Sequence, residues 1–254
     1  MISVKNASKL GILDWGIGGI SIYKLVRERL GAIPIVYFSD TGVTPYGKMS
    51  RPELVSRMDK VIEYLASLGV THLVIGCNAA STAIPHLKET PVEIKGVIES
   101  AVNLAARLKP RKLGVIGGRR TVVSGVYRKA FRELGVDVAQ RIAQPLSGLI
   151  ESGDISSGRL KEESRRILSP LKNCSHILLA CTHYPAIAPV LKDFVSSDTV
   201  FIDPAEELAA EVEKWRIPPG DDSVFLTSGD PAAMQKAALA AFGVQINNVS
   251  AART

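Results

Sequence analysis

The chain has 254 residues, 46% of them hydrophobic, with a formal net charge of +6 and three cysteines. This length and composition are sufficient for two globular lobes with substantial cores. No apolar segment is long enough to cross a membrane, and MISVKNASKL at the N-terminus does not resemble a secretion signal. Cysteines without C-x-x-C spacing predict free thiols, with no disulfide framework and no metal site. We therefore expect a cytoplasmic protein without membrane contact.

The positive charge does not indicate nucleic-acid binding. Most basic residues fall in helix-like segments such as YKLVRERLG and GRLKEESRRIL, where glutamates are interleaved with them, as on a solvated helix face. Aromatic and basic residues do not alternate. We predict no nucleic-acid partner and regard the excess charge as at most a mild attraction for anionic substrates.

Strand-like and helix-like segments alternate along the chain. The predicted strands are KLGILDW, IPIVYFSD, THLVIGCN, RKLGVIGG, the run that ends at Cys181, and DSVFLTS. The first helix should end at Gly31, the second should begin with a Ser50–Glu53 capping box and end before Gly69, and a later helix should occupy 152–173. This alternation predicts an α/β fold with mostly parallel sheets covered by helices.

Two segments of the chain align with each other without a gap. THLVIGCNAASTAIPHLK matches SHILLACTHYPAIAPVLK and places Cys77 opposite Cys181. Further pairs recur at nearly the same spacing, VIESAVNL with FIDPAEEL and KLGILDW with KLGVIGG. The repeat predicts two pseudo-symmetric lobes, the first comprising residues 1–97 and 209–254 and the second residues 98–208.

The repeat changes the interpretation of the cysteines. A single free cysteine is more often a small core residue than a reactive group. In α/β folds, however, ligands bind beyond the carboxyl ends of the strands, and Cys77 and Cys181 each follow a predicted strand. Two cysteines at equivalent strand ends predict an active site in the cleft between the lobes.

The glycine-rich segment DWGIGGIS follows the first strand. It lacks the last glycine of a dinucleotide-binding motif and the lysine of a phosphate-binding loop. We interpret it as a tight turn that holds Asp14 at the strand end, and we do not expect a nucleotide there.

Taken together, several motifs resemble the cofactor-independent glutamate racemases of the aspartate/glutamate racemase superfamily. These motifs are the glycine turn after Asp14, SDTGVTPYG, GCN at Cys77, RTVVSGVY, PLSGLIESG, ACTHYP at Cys181 and TSGDP, and they extend over nearly the whole chain. The resemblance implies an isomerase that interconverts L- and D-glutamate for peptidoglycan synthesis without a cofactor. It also implies a homodimer, although the sequence does not identify the dimer surface.

Inversion of an amino-acid α-carbon requires two acid/base groups, one on each face. The paired cysteines meet this need if one is a thiolate and the other a thiol, which calls for neighbours that share protons. The resemblance implies that Asp14 supports Cys77, which deprotonates the D-enantiomer. It implies that His183 and Glu151 support Cys181, which deprotonates the L-enantiomer. Two structural alternatives stay open, since His183 could cap a helix and Ser152 next to Glu151 is a plausible helix cap.

The resemblance also implies a set of substrate contacts. The residues concerned are Trp15, Pro45, Tyr46, Gly47, Asn78, Ala79, Thr121 and Thr182. Asn78 and Thr182 would bind the α-carboxylate, and the backbone amides at Tyr46 and Gly47 would bind the side-chain carboxylate.

Three positions depart from the family pattern. Trp15 stands where serine is usual, and Ala79 and Gly118 stand where threonine is usual. Polar groups are lost at all three, and the indole must either leave the cleft or fill it. A racemase for another amino acid, a ligand-binding relative without turnover, and a related decarboxylase or isomerase therefore remain alternatives.

Overall fold

The computed structural model of the protein describes residues 8–254. It has the predicted α/β fold, with two parallel sheets that are covered by helices. The prediction that the chain does not begin with a secretion signal concerns residues 1–10, most of which lie outside the described residues. Across residues 8–254, every helix is too short or too polar to cross a lipid bilayer.

The strands form one sheet of six and one of four. In chain order they are β1 (Lys9–Asp14), β2 (Ile35–Ser39), β3 (Val70–Ile75), β4 (Glu93–Gly96), β5 (Leu113–Gly117), β6 (Val138–Ile142), β7 (His176–Ala180), β8 (Val200–Ile202), β9 (Val224–Thr227) and β10 (Val249–Ala251). The strand order is β10-β9-β2-β1-β3-β4 in the first sheet and β6-β5-β7-β8 in the second. All pairs are parallel. The central strands are buried on both faces, which explains their continuous apolar sequences.

Helices connect the strands and cover both sheets. They are α1 (Ile20–Leu30), α2 (Arg51–Ser67), α3 (Asn78–Ser81), α4 (Val97–Leu108), α5 (Arg119–Val123), α6 (Val126–Glu133), α7 (Gln144–Glu151), α8 (Gly158–Leu168), α9 (Ala188–Lys192), α10 (Pro204–Lys214) and α11 (Pro231–Phe242). Short 3-10 turns occupy Ile84–His86, Ser169–Leu171 and Tyr184–Ile187.

The two sheets share one strand arrangement. The order β2-β1-β3-β4 in the first sheet recurs as β6-β5-β7-β8 in the second. Cys77 follows β3 after one intervening residue, and Cys181 follows β7 directly. The pair that the sequence repeat aligns therefore stands at equivalent strand ends, because β3 and β7 hold equivalent places in the two sheets.

The helix signals in the sequence were accurate at the strongest caps and wrong at one long helix. Ser50 and Glu53 form the predicted capping box, and Gly31 closes α1 with a positive φ of 67°. The helix predicted at 152–173 begins only at Gly158, where Ser157 caps it. Ser152 is the C-cap of α7, residues 153–157 connect it to α8, and α8 ends at Leu168. The strands β4, β6, β8 and β10 are not among those predicted from the sequence.

A continuous core joins the two lobes behind the cleft. Leu10 and Tyr37 of the first sheet belong to the same apolar cluster as Ile116 and Ile177 of the second. The predicted boundaries at 97/98 and 208/209 fall within α4 and α10, and α10 packs against both α1 and α4. The residue at which one lobe passes into the other therefore stays a prediction.

Candidate active site

A cavity of about 320 Å³ lies at the carboxyl ends of both sheets. Among the residues named from the sequence, its lining includes Asp14, Trp15, Pro45, Tyr46, Gly47, Cys77, Asn78, Ala79, Thr121, Cys181, Thr182 and His183. Glu151 is the exception, since it lies behind His183 and contacts that side chain. The structure thus brings together residues from the two halves of the repeat.

The two cysteines line the same cavity in different surroundings. Cys77 precedes the first turn of α3, and the backbone N–H groups of Ala79 and Ala80 face its sulfur. Burial, followed by the negative charge of Asp14, raises the pKa of the Cys77 thiol well above its ordinary value. Cys77 is therefore expected to be a neutral thiol in the free protein. Cys181 instead has an imidazole partner.

Cys181, His183 and Glu151 form a hydrogen-bonded chain. His183 Nδ1 lies 3.6 Å from Cys181 Sγ, and its Nε2 lies 2.5 Å from Glu151 Oε2. Burial alone would lower the pKa of His183, but its hydrogen bonds to Cys181 and Glu151 and their charges outweigh burial and raise that pKa well above its usual range. In protonated His183 both ring nitrogens donate, one toward the sulfur and one toward the carboxylate.

Asp14 is buried at the end of β1 and contacts the opposite lobe. Its Oδ2 accepts a 2.7 Å hydrogen bond from Thr182 Oγ1, and its Oδ1 accepts one of 2.7 Å from the Trp15 N–H. Burial raises the pKa of Asp14, while the charge of His183 and the Thr182 hydroxyl oppose that rise. The structure gives Asp14 no hydrogen bond to Cys77, so its effect on that thiol is through charge, and its supporting role remains a proposal.

The glycines after Asp14 permit the lobes to approach closely. None of Gly16, Gly18 and Gly19 has a positive φ. A Cβ at Gly16 would lie 2.2 Å from Glu151 Oε2, and one at Gly18 would lie 2.2 Å from Thr182 Oγ1. The turn predicted from the sequence is present, but the reason for glycine at Gly16 and Gly18 is interlobe contact and not an unusual backbone conformation.

Asn78 is oriented by a residue of the second lobe. Tyr127 donates a 2.6 Å hydrogen bond to Asn78 Oδ1, which fixes the side-chain amide. Within residues 8–254, the buried Nδ2 of Asn78 has no hydrogen-bond partner, and Asn78 lines the cavity. A buried donor without a partner is costly, so a bound anion would satisfy it.

Thr182 contributes to the site differently from the sequence-based expectation. Its hydroxyl proton is donated to Asp14. A hydroxyl has one proton, so while that bond persists Thr182 Oγ1 can only accept from a ligand. This arrangement suits an ammonium group better than the α-carboxylate that the resemblance implied.

The loop that carries Pro45, Tyr46 and Gly47 is anchored on both sides. The buried Tyr46 hydroxyl donates a 2.6 Å hydrogen bond to Asp40, whose carboxylate also pairs with Arg57 at 2.6 Å. On the cleft side, the Tyr46 carbonyl accepts a 3.0 Å hydrogen bond from Arg120 Nε. The loop is thus fixed relative to both lobes.

Trp15 lines the cavity and does not turn fully outward. Its indole Nε1 donates to the Val43 carbonyl at 3.3 Å. This bond uses the single polar group of the indole, so Trp15 offers the cavity an apolar surface. Ala79 and Gly118 also line the cavity and likewise present no polar side-chain atom there.

Sequence reasoning missed several residues of the site. Arg120, Gln144 and Lys48 line the cavity, and Tyr127 orients Asn78. Arg120 follows β5, the counterpart of β1, so the rule that ligands bind at strand ends would have identified its position. Among residues 8–254, no three His, Cys, Asp or Glu side chains are grouped to hold a metal ion.

Comparisons with known proteins show similarity over most of the chain. The sequence pattern of the Asp/Glu/Hydantoin racemase family matches residues 10–212. The chain is 32% identical to a glutamate racemase of Bacillus cereus over 94% of this chain and 95% of that protein. It is 33% identical to one of Aquifex aeolicus over 86% of this chain and 87% of that protein.

A solved structure of similar shape supports the same relationship. A glutamate racemase isoform from Bacillus anthracis superposes with a TM-score of 0.86 and 27% identity over 97% of each chain. The similarities in sequence and in fold both extend over nearly the full length of the protein. The chain therefore belongs to the Asp/Glu/hydantoin racemase family, and its enzymatic class is that of the racemases, which are isomerases.

Proposed function

We propose that the protein is a cofactor-independent amino-acid racemase that uses Cys77 and Cys181 to interconvert L- and D-glutamate. One observation carries this proposal: the two cysteines stand at equivalent strand ends of the two sheets and line one cavity. Such a pair meets the need for one acid/base group on each face of a substrate carbon. Glutamate is favoured as the substrate because the relatives named above are glutamate racemases.

In the L-to-D direction, the Cys181 thiolate removes the α-proton and the Cys77 thiol donates its proton to the opposite face. The reaction leaves Cys181 as a thiol and Cys77 as a thiolate, and D-to-L turnover restores the first state. The chain from Cys181 through His183 to Glu151 supports the thiolate on one side. The raised pKa of Cys77 supports its starting role as the acid.

The substrate's polar groups match donors and acceptors in the cavity. Asn78 Nδ2 would donate to the α-carboxylate, because it follows Cys77 directly and has no partner among residues 8–254. Thr182 Oγ1 and the Asp14 carboxylate would accept from the α-ammonium group. The backbone amides of the Tyr46–Gly47 segment would serve the side-chain carboxylate.

The test is a screen of single L- and D-amino acids by circular dichroism for loss of optical activity, with proton exchange at the α-carbon measured in deuterated water. Glutamate is expected to lose its optical activity fastest. Racemisation of another amino acid would support the alternative that Trp15, Ala79 and Gly118 have changed the substrate. Absence of exchange with every amino acid would identify a ligand-binding relative and contradict the proposal.

The physiological part of the proposal is the supply of D-glutamate for peptidoglycan in the cytoplasm. All three cysteines are free, as expected in a reducing compartment. We also propose a homodimer, which size-exclusion chromatography with light scattering would test. A monomer over the working concentration range would contradict that assembly without affecting the racemase assignment.

A further inference from the structure

Arg120 crosses the cleft from the second lobe to the first. It lies in the first turn of α5, and its side chain is half-buried in the cavity wall. Its Nε donates to the Tyr46 carbonyl at 3.0 Å, and its Nη2 donates to the Met49 carbonyl. Both acceptors belong to the loop that follows β2, and the other end of the guanidinium, Nη1, has no protein hydrogen bond within residues 8–254.

No carboxylate in the described part of the chain neutralises this guanidinium. The ion pairs found there do not include Arg120. Burial lowers the pKa of Arg120, as does the charge of Arg51 in second place, yet an arginine keeps its charge in proteins. A partly desolvated cation at a cavity wall without an anion is unfavourable, so an anionic group in the cavity would stabilise it.

The position of Arg120 indicates which part of a substrate it would meet. Arg120 holds the loop that follows β2, whereas Cys77 follows β3, and β1 lies between those two strands. Arg120 is therefore bonded to a loop that is one strand removed from the strand end that carries Cys77. Asn78 is next to Cys77 and so is better placed for the carboxylate on the reacting carbon. Lys48 also lines the cavity, but its side chain is exposed. Solvent therefore screens its charge more strongly than that of Arg120.

We propose that Arg120 determines specificity, and that its guanidinium selects substrates whose side chain ends in a carboxylate. The selection rests on charge and on a fixed position, since the bonds to Tyr46 and Met49 hold the guanidinium beside the loop. This inference rests on the proposed racemisation of glutamate. It adds a side-chain determinant to the backbone amides already assigned to that carboxylate.

The experiment compares glutamate with glutamine, which has the same shape but lacks the side-chain charge. It uses the wild type and the variants Arg120→Gln, Arg120→Lys and Arg119→Gln. Preference is measured as the ratio of kcat/KM values, or from the competitive inhibition constant of glutamine if glutamine is not turned over. Arg119 is the matched control, because it is exposed on the same helix and does not line the cavity.

Arg120→Gln is expected to reduce the preference for glutamate by about tenfold or more, mainly through a higher KM for glutamate. Arg120→Lys keeps the charge but not the two-nitrogen fork and should retain part of the preference, and Arg119→Gln should leave it unchanged. An equal loss on both substrates, or no loss, in Arg120→Gln would overturn the inference. If Arg120→Gln does not fold, loss of the preference in Arg120→Lys would overturn it and retention would support it.

A wild type that does not racemise glutamate would overturn the proposed function as well, whereas an active wild type with an unchanged ratio in the variants would overturn this inference alone.

Discussion

Thr182 donates its hydroxyl proton to the Asp14 carboxylate across the cleft, with 2.7 Å between Oγ1 and Oδ2. Thr182 is the neighbour of Cys181, while Asp14 was expected from the sequence to support Cys77. The two halves of the site are therefore joined through a buried hydrogen bond. A change in the protonation of Asp14 should alter the electrostatic surroundings of both cysteines, because the charges of Asp14 and His183 also act on each other.

Replacement of Thr182 by valine should move the acidic limb of the kcat/KM profile to higher pH. The hydroxyl opposes the rise in the pKa of Asp14, so its loss raises that pKa further, and a higher pH is then needed to form the carboxylate. A hydrogen bond to a charged group contributes about 1.5–3 kcal/mol, so kcat/KM at neutral pH should fall about tenfold or more. Thr182→Ser keeps the hydroxyl and serves as the control. An acidic limb unchanged in Thr182→Val would show that Asp14 does not need to ionise for turnover.

Alanine at either Cys77 or Cys181 should reduce racemisation by at least about a hundredfold, the lower range for removal of an acid/base group. Cys77→Ala should still exchange the α-proton of L-glutamate in deuterated water without inverting it, since Cys181 can remove and return that proton. Cys181→Ala should do the same with D-glutamate. Cys174→Ala is the control, because that buried cysteine lies outside the cleft. Substantial inversion by either active-site variant would contradict the two-base assignment.

The positions of Cys77 and Cys181 at equivalent strand ends could be predicted from the sequence because the relevant signals are local or repeated. An apolar strand followed by a cysteine is a short pattern, and its recurrence at Cys181 placed both sulfurs at strand ends. The glycines after Asp14 likewise predicted a turn. The sequence did not show which atoms require glycine there, since those atoms belong to Glu151 and Thr182.

The contacts across the cleft could not be predicted in the same way. Thr182 and Asp14 are 168 residues apart in sequence, and Arg120 and Tyr46 are 74 apart. No periodicity encodes which side chain of one lobe meets the other, since those contacts depend on how the sheets are packed together. The sequence pattern predicted that Glu151 directly precedes a helix, whereas Glu151 is the last residue of α7. The prediction failed because its neighbours Ser152 and Gly153 suit either end of a helix.

Replacement of Gly16 by alanine should impair catalysis more than folding. The new Cβ would lie 2.2 Å from Glu151 Oε2, and the Glu151 carboxylate must then leave His183 and the Ile17 N–H, to which it is bonded at 3.1 Å. We expect kcat to fall at least about tenfold and the free energy of unfolding to fall by about 1–3 kcal/mol, as for other overpacked sites. Urea denaturation and initial rates measure the two effects. Gly158→Ala, where a Cβ meets open space, should change neither by much, and wild-type activity in Gly16→Ala would show that the Glu151 contact is dispensable.

Glu151→Gln should shift the basic limb of the kcat/KM profile to lower pH. The hydrogen bond and charge of Glu151 help to raise the pKa of His183 against the effect of burial, so neutralising this residue lowers that pKa. Protonated His183 supports the Cys181 thiolate in the proposed mechanism. The active form is therefore lost at lower pH, and a shift of about one pH unit or more is expected from the loss of one close opposite charge. Glu151→Asp keeps the charge and should lie between the wild type and Glu151→Gln. If Glu151→Gln keeps both its activity and its basic limb, Glu151 serves only to hold the Ile17 N–H and the turn around it, because the glutamine oxygen can still accept that hydrogen bond.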